Sequence, residues 1–212
     1  MNVSQIMRVA AFCFARKSDE VLESTDAWVL YTGDGWILLE HLLAQWKRIY
    51  EDWPDDRPVI FVTGPDNGML RVNKSLNAFD FASWLITQGL PVSRIIPYAN
   101  PAKPSTHGQA ESLIEASRQH GWRRVALFTS WYHAPRAWLT TIKRIPAGMN
   151  LMVIPMPSYG LSFSSPNIEL EGSPSAWTLL NSNMLSRLES YQAQGFCATF
   201  EEADEYLKAH GL

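Results

Sequence analysis

Short apolar runs alternate along the chain with longer stretches in which apolar residues recur three and four positions apart. The first pattern has the length of a buried strand and the second the period of an amphipathic helix. Their alternation predicts βαβ units around a parallel sheet. The strands read as Ala27–Tyr31, Pro58–Val62, Arg94–Tyr98, Val125–Thr129 and Leu151–Pro155. After the first of them, Ile37, Leu38, His41, Leu42, Gln45 and Ile49 trace one helical face. A second helix is expected from about Lys74 to Gln88, stopped by Gly89, because glycine tolerates the left-handed conformation that closes a helix. Pro97 lacks the N–H a central ladder needs, which predicts an edge position or a strand end for the third run. Ser105-Thr106 offers an N-cap for a helix from His107 to His120, ended by Gly121, and another helix runs from Ala134 to Arg144.

Beyond the fifth strand the periodicity stops. Met156 to Pro174 is rich in Ser, Pro and Gly and reads as a long loop, a candidate lid. Trp177 to Gln194 resumes a helical pattern, and Thr199 caps a terminal helix with Glu201 and Glu202 in its first turn. The architecture expected is a three-layer α/β/α sandwich: a doubly wound, mainly parallel five-stranded sheet, Rossmann-like, with helices on both faces. One domain is expected over residues 1–212, with its core at 27–155 and C-terminal helices at 176–209. The pattern leaves strand order and oligomeric state open.

Composition narrows the function classes. At 46% apolar and 18% charged residues the chain has the make-up of an ordinary globular protein. A net charge of −3 lacks the concentrated basic surface that nucleic-acid binding wants, so no nucleic-acid partner is expected. Cys13 and Cys197 lie far apart without CxxC spacing and read as thiols in a reducing compartment. The apolar run Val9–Ala15 is well short of the ~20 residues that span a bilayer. It reads as a packing helix and not as a processed leader, which places the protein in the cytoplasm.

In sheets of this kind ligands bind beyond the carboxyl ends of the strands. That rule gathers Thr32, Gly33, Asp34 and Gly35 with Thr63 and Gly64, then Pro104–Gln109, then Thr129–Arg136. These turns open helices, whose N-termini suit phosphate or carboxylate. Thr129 and Ser130 end a strand with hydroxyls, and His133 and Arg136 stand three apart on one helical face. An imidazole that can carry a proton beside a fixed guanidinium makes an anion-binding pair. The same residues also fit a purely structural role, with Ser130 capping the helix and Arg136 paired at the surface. Asp34 fits either a ligand contact or a turn bonding its own backbone. Thr32-Gly33-Asp34-Gly35 is neither a Walker A loop nor a GxGxxG fingerprint. His107 could join His133 at a metal, but no Cys or carboxylate spacing supports one, and no metal is expected.

The string Thr129-Ser130-Trp131-Tyr132-His133-Ala134-Pro135-Arg136-Ala137 resembles the Thr-Ser-x-Tyr-His-x-x-Arg-Ala signature of the bacterial domain-of-unknown-function family that includes SanA, ElyC and YdcF. Ser105–Ala110 is similar to the Asn-Thr-x-Glu-Asn-Ala block of that family, and Thr63-Gly64-Pro65 to its Ser-Gly-Gly. Gly89–Ile95 looks like its Gly-Val-Pro-x-x-x-Ile. The resemblance covers about residues 27–155, puts Thr106, Thr129, Ser130 and Tyr132 on motif positions with His133 and Arg136 as catalytic candidates, and likens Thr63 and Gly64 to the Ser-Gly-Gly; Thr32, Gly33, Asp34 and Gln109 join the binding site from the strand-end turns. The chain departs from the pattern at Gly108 and Gln109, where the family has Glu and Asn, and Glu111 is the candidate replacement for the missing acid. Members are linked to bacterial envelope metabolism, and YdcF-like relatives to S-adenosylmethionine. Two readings follow from this. One is an enzyme, a hydrolase or transferase acting on a phosphorylated or nucleotide-like small anion. The other is a non-catalytic domain that binds a nucleotide or S-adenosylmethionine.

Overall fold

The computed structural model describes residues 3–32, 36–50, 58–64, 77–99, 105–158 and 185–212; of residues 36, 37, 185 and 186 it describes the backbone alone. The apolar runs become β1 (Ala27–Tyr31), β2 (Val59–Gly64), β3 (Ile95–Ala99), β4 (Arg124–Ser130) and β5 (Met152–Ser158). They form one sheet in the order β3-β2-β1-β4-β5, and each neighbouring pair is parallel. The helices are α1 (Val3–Phe14), α2 (Asp19–Glu23), α3 (Trp36–Tyr50), α4 (Ala78–Thr87), α5 (Thr106–His120), α6 (Ala134–Arg144), α7 (Leu185–Ala193) and α8 (Phe200–Ala209).

The strand order states how the chain winds. It moves outward from β1 through α3 to β2 and through α4 to β3, then returns past β1 through α5 to β4 and α6 to β5. Parallel crossovers keep one hand, so reversing the direction of winding moves the helices to the other face. The buried residues sort accordingly. Trp28, Leu30, Val62, Ala126 and Phe128 pack against Leu38, Leu42 and Trp46 of α3 and Phe81 and Leu85 of α4. The alternate positions Val29, Tyr31, Phe61, Leu127 and Val153 pack against α1, α5, α6 and α8. The result is a three-layer α/β/α Rossmann-like sandwich with two apolar layers. All five residues of β1 are buried, as a strand covered on both faces requires.

Three boundaries differ by more than a residue at one end from the sequence reading. β2 continues through Thr63 and Gly64, so these residues end the strand instead of forming the turn after it. α4 begins at Ala78, not near Lys74: Asn77 has extended backbone, accepts the N–H groups of Phe79 and Asp80 at 2.8 and 3.1 Å, and closes a capping box with Asp80. β5 takes in Met156–Ser158, which the sequence assigns to a loop because of Pro155 and Pro157.

The reason for the last lies in the strand's position. β5 is an edge, and the N–H and C=O of Val153 point outward, to the Tyr206 hydroxyl at 2.7 Å and from the Trp138 indole at 2.8 Å. Pro155 and Pro157 fall on the same outward alternation, where a missing N–H costs no ladder bond. Pro97 likewise sits on the opposite edge strand, β3. Several expected features lie outside the described residues: the helix over 177–184, the loop over 159–174, Gly33-Asp34-Gly35, and the turns over 65–68 and 100–104. Cys13 and Cys197 are buried free thiols. No helix of the described residues is long and apolar enough to cross a membrane.

Candidate functional site

The winding reverses between β1 and β4, the place where open α/β sheets bind their ligands, beyond the carboxyl ends of the strands. Register sets what faces it. Val62, Leu30, Phe128 and Met156 lie in one row on the α3/α4 face. Two residues further on, the row becomes Gly64, Thr32 just past the end of β1, Ser130 and Ser158, with Ser130 and Ser158 directly paired. The apolar core therefore ends in a rank of hydroxyls. A Cβ on Gly64 would lie 1.7 Å from Thr32 Oγ1, so the close approach of the two strand ends requires glycine there.

On the other face, Thr63 and Thr129 point toward α5 and α6. Gln109 Nε2 donates to the Thr63 carbonyl at 3.1 Å and ties the first turns of α5 to the end of β2. The Thr129 hydroxyl donates to the Ser130 carbonyl at 2.8 Å. Among the described residues, Thr63 Oγ1 and Ser158 Oγ are buried and have no hydrogen-bond partner. Unpaired buried hydroxyls are uncommon in folded proteins, because each forfeits its hydration.

Two helix N-termini converge beside these strand ends. Ser105 caps α5, its hydroxyl accepting the Gly108 N–H at 3.3 Å, so Thr106 is the first helical residue. β4 leads into α6 through the turn Trp131–His133, held by Trp131 N–H to the Ser158 carbonyl at 3.2 Å and His133 N–H to the Ser130 carbonyl at 3.0 Å. Pro135 stands in the first turn of α6, where its missing N–H has no intrahelical acceptor to lose. His133 occupies the cap position, yet its imidazole makes no cap bond. Instead Nε2 lies 3.2 Å from the Thr106 hydroxyl, with the histidine only 4% exposed. Tyr132 is buried at the same turn, with its ring edge-on to Trp131.

Thr32, Thr63, Gly64, Thr106, Gln109, Thr129, Ser130, Tyr132 and His133 thus gather at the carboxyl ends of the strands. Glu111 is placed elsewhere: its carboxylate accepts from His107 Nε2 at 3.0 Å, while Arg144 donates to His107 Nδ1 at 2.7 Å. That chain links α5 to α6 and holds His107 in its Nε2–H tautomer. Arg136 shares a helical stripe with Thr140 and Arg144. Thr140 contacts the Cys197 thiol at 3.0 Å. Burial pushes the Cys197 thiol above its ordinary range, and the Thr140 hydrogen bond and the charges of Arg136 and Arg144 pull the other way. Gly33 and Asp34 lie outside the described residues. The rim residue that sequence reasoning passed over is Ser158, hidden by the prolines beside it; period-two alternation continued from Val153 would have kept it in the strand.

Among the described residues no three His, Cys, Asp or Glu side chains gather as a metal-ligating group. No protein-family model, curated protein or solved structure matches the chain.

Proposed function

We propose that the chain binds a small anion, phosphorylated or nucleotide-like, at the carboxyl ends of its strands and acts on it in the cytoplasm as a hydrolase or transferase. The observation that carries this reading is the 3.2 Å contact between Thr106 and His133. It joins an imidazole withdrawn from capping its own helix to a hydroxyl on the first residue of another. Each helix N-terminus presents about half a positive charge and polarised N–H groups, which together favour a phosphate. His133 serves as general acid or base, and Arg136, three residues further, adds a guanidinium to the anion's side of the sheet. The likeness of Thr129–Ala137 to the YdcF, SanA and ElyC signature supports the same location and a bacterial family of that kind.

A second reading keeps the site and drops the turnover. Gly108 stands where that family has an acid, and Glu111, the nearest substitute, is engaged with His107. On this reading the chain is a binding domain for a nucleotide or S-adenosylmethionine.

A thermal-shift panel of inorganic phosphate, nucleotides and S-adenosylmethionine, run with a p-nitrophenyl phosphate assay, separates the two. Under the first reading phosphate or a nucleotide raises the Tm of wild type more than that of Arg136→Ala, and His133→Ala lowers turnover by roughly 10²–10⁴-fold. A ligand shift without turnover gives the second reading. No shift with any ligand rejects both.

A further inference from the structure

The two faces of the sheet offer different chemistry at the rim. On the α5/α6 face stand Thr106 and the His133 imidazole, in contact at 3.2 Å. On the α3/α4 face the rank Gly64–Thr32–Ser130–Ser158 carries hydroxyls and no charge. Thr32 is 4% exposed, Ser130 6% and Ser158 3%. Ser158 Oγ has no partner among the described residues. One row below, His41 of α3 packs its ring 6.0 Å from that of Phe128, and its Nε2 is likewise buried without a partner. Burial, with the charges of Arg16 and Arg48, holds this imidazole below its ordinary pKa. Gly64 presents no side chain at the head of the row, and the Thr32 hydroxyl occupies the space a Cβ would fill.

Hydroxyls that both donate and accept, with no charged side chain in the row, match the hydroxyls of a sugar, which also donate and accept. We infer that the rank Gly64–Thr32–Ser130–Ser158, bordered by His41, is an uncharged subsite for the hydroxyl-bearing ring of the ligand. The ligand that engages both parts is then a sugar phosphate or nucleoside phosphate, with its phosphate at Thr106 and His133 and its ring across the β1/β4 reversal. The inference rests on the anion site proposed above and adds the identity of the uncharged part. It also accounts for the unpartnered Ser158 hydroxyl, whose partner comes with the ligand.

The test is calorimetric titration of the full chain with inorganic phosphate, ribose and ribose 5-phosphate. Wild type binds ribose 5-phosphate roughly tenfold or more tightly than inorganic phosphate, the factor expected for one or two added hydrogen bonds. Ser158→Ala and Thr32→Val lose most of that preference and bind inorganic phosphate as wild type does. Ser158→Ala also melts no lower than wild type without ligand, because the hydroxyl it removes has no partner among the described residues. A preference unchanged in both variants overturns the subsite. So does equal wild-type affinity for phosphate and ribose 5-phosphate, which leaves the anion site standing. Binding of ribose without phosphate keeps the subsite and removes the anion site, and binding of none of the three removes both.

Discussion

The amino and carboxyl ends of this one parallel sheet are finished in opposite ways. At the amino ends, the Asp26 carboxylate accepts the N–H groups of Arg123 and Arg124 at 2.6 and 2.8 Å. The backbone adds Asp26 N–H to the Arg124 carbonyl, Val59 N–H to the Asp26 carbonyl and Met152 N–H to the Arg123 carbonyl. Four strand beginnings are pinned by groups of the chain itself. At the carboxyl ends, small and hydroxyl residues replace the core, and Thr63 and Ser158 bury hydroxyls with no partner among the described residues. Buried polar atoms without a partner among the described residues also occur at Ser117 Oγ, on α5 away from the rim, and at Arg124 Nε, where an amino end falls short of full pairing. Where polar groups are satisfied internally, an end contributes stability. Where they are left without a partner at the strand ends, the fold carries a cost that a ligand can offset.

Substitutions at the two ends can break that contrast. The largest effect is expected for Gly64→Ala, whose Cβ would meet Thr32 Oγ1 at 1.7 Å and Thr32 Cβ at 2.9 Å. Overpacking of this kind costs about 1–3 kcal/mol. Denaturant unfolding should show that loss together with lost ligand affinity. Asp26→Ala should cost about 1–2 kcal/mol through the two strand-start N–H groups while leaving ligand affinity unchanged. A loss of affinity in that variant would mean the two ends are not separable.

Titration sharpens the contrast further. Because His41 is held below its ordinary pKa of 6.5 by burial, Arg16 and Arg48, the unfolded chain takes up that proton first as the pH falls. Stability therefore declines as pH drops through 6.5, and His41→Gln should flatten the decline in thermal melts at several pH values. Thr63→Val should have the smallest effect and the opposite sign. Removing an unpartnered buried hydroxyl at nearly constant shape leaves stability unchanged or raises it by up to about 1 kcal/mol. A clear loss of stability in that variant would show that its hydroxyl is used in the fold.

The contrast between the ends was only half legible in the sequence. Strand runs such as Ala27–Tyr31 and Val125–Thr129 declare themselves, because a strand buried on both faces must be apolar at nearly every position. The C-terminal capping box is local and readable: Thr199 accepts the Glu202 N–H at 3.1 Å and the Glu202 carboxylate accepts the Thr199 N–H at 2.8 Å. Strand order was not readable, since it depends on which edges meet, and with it the pairing of Ser130 with Ser158. The turn from Thr129 to Arg136 was found by its residue types, but its reach to Thr106 spans 27 positions and needs the α5/α6 packing. His133 and Arg136 have helical spacing, yet His133 stands at the cap with its ring turned to α5. Local periodicity does not report a side chain that has left its own helix.

The most direct measurement is an amide chemical-shift titration of the full chain with ribose 5-phosphate. Saturable shifts concentrated at Thr106, His107, Ser130, His133 and Ser158, with Asp26, Arg123 and Arg124 unmoved, are the predicted result. Shifts confined to the amino ends, or none at these carboxyl-end residues, would contradict the assignment of the site.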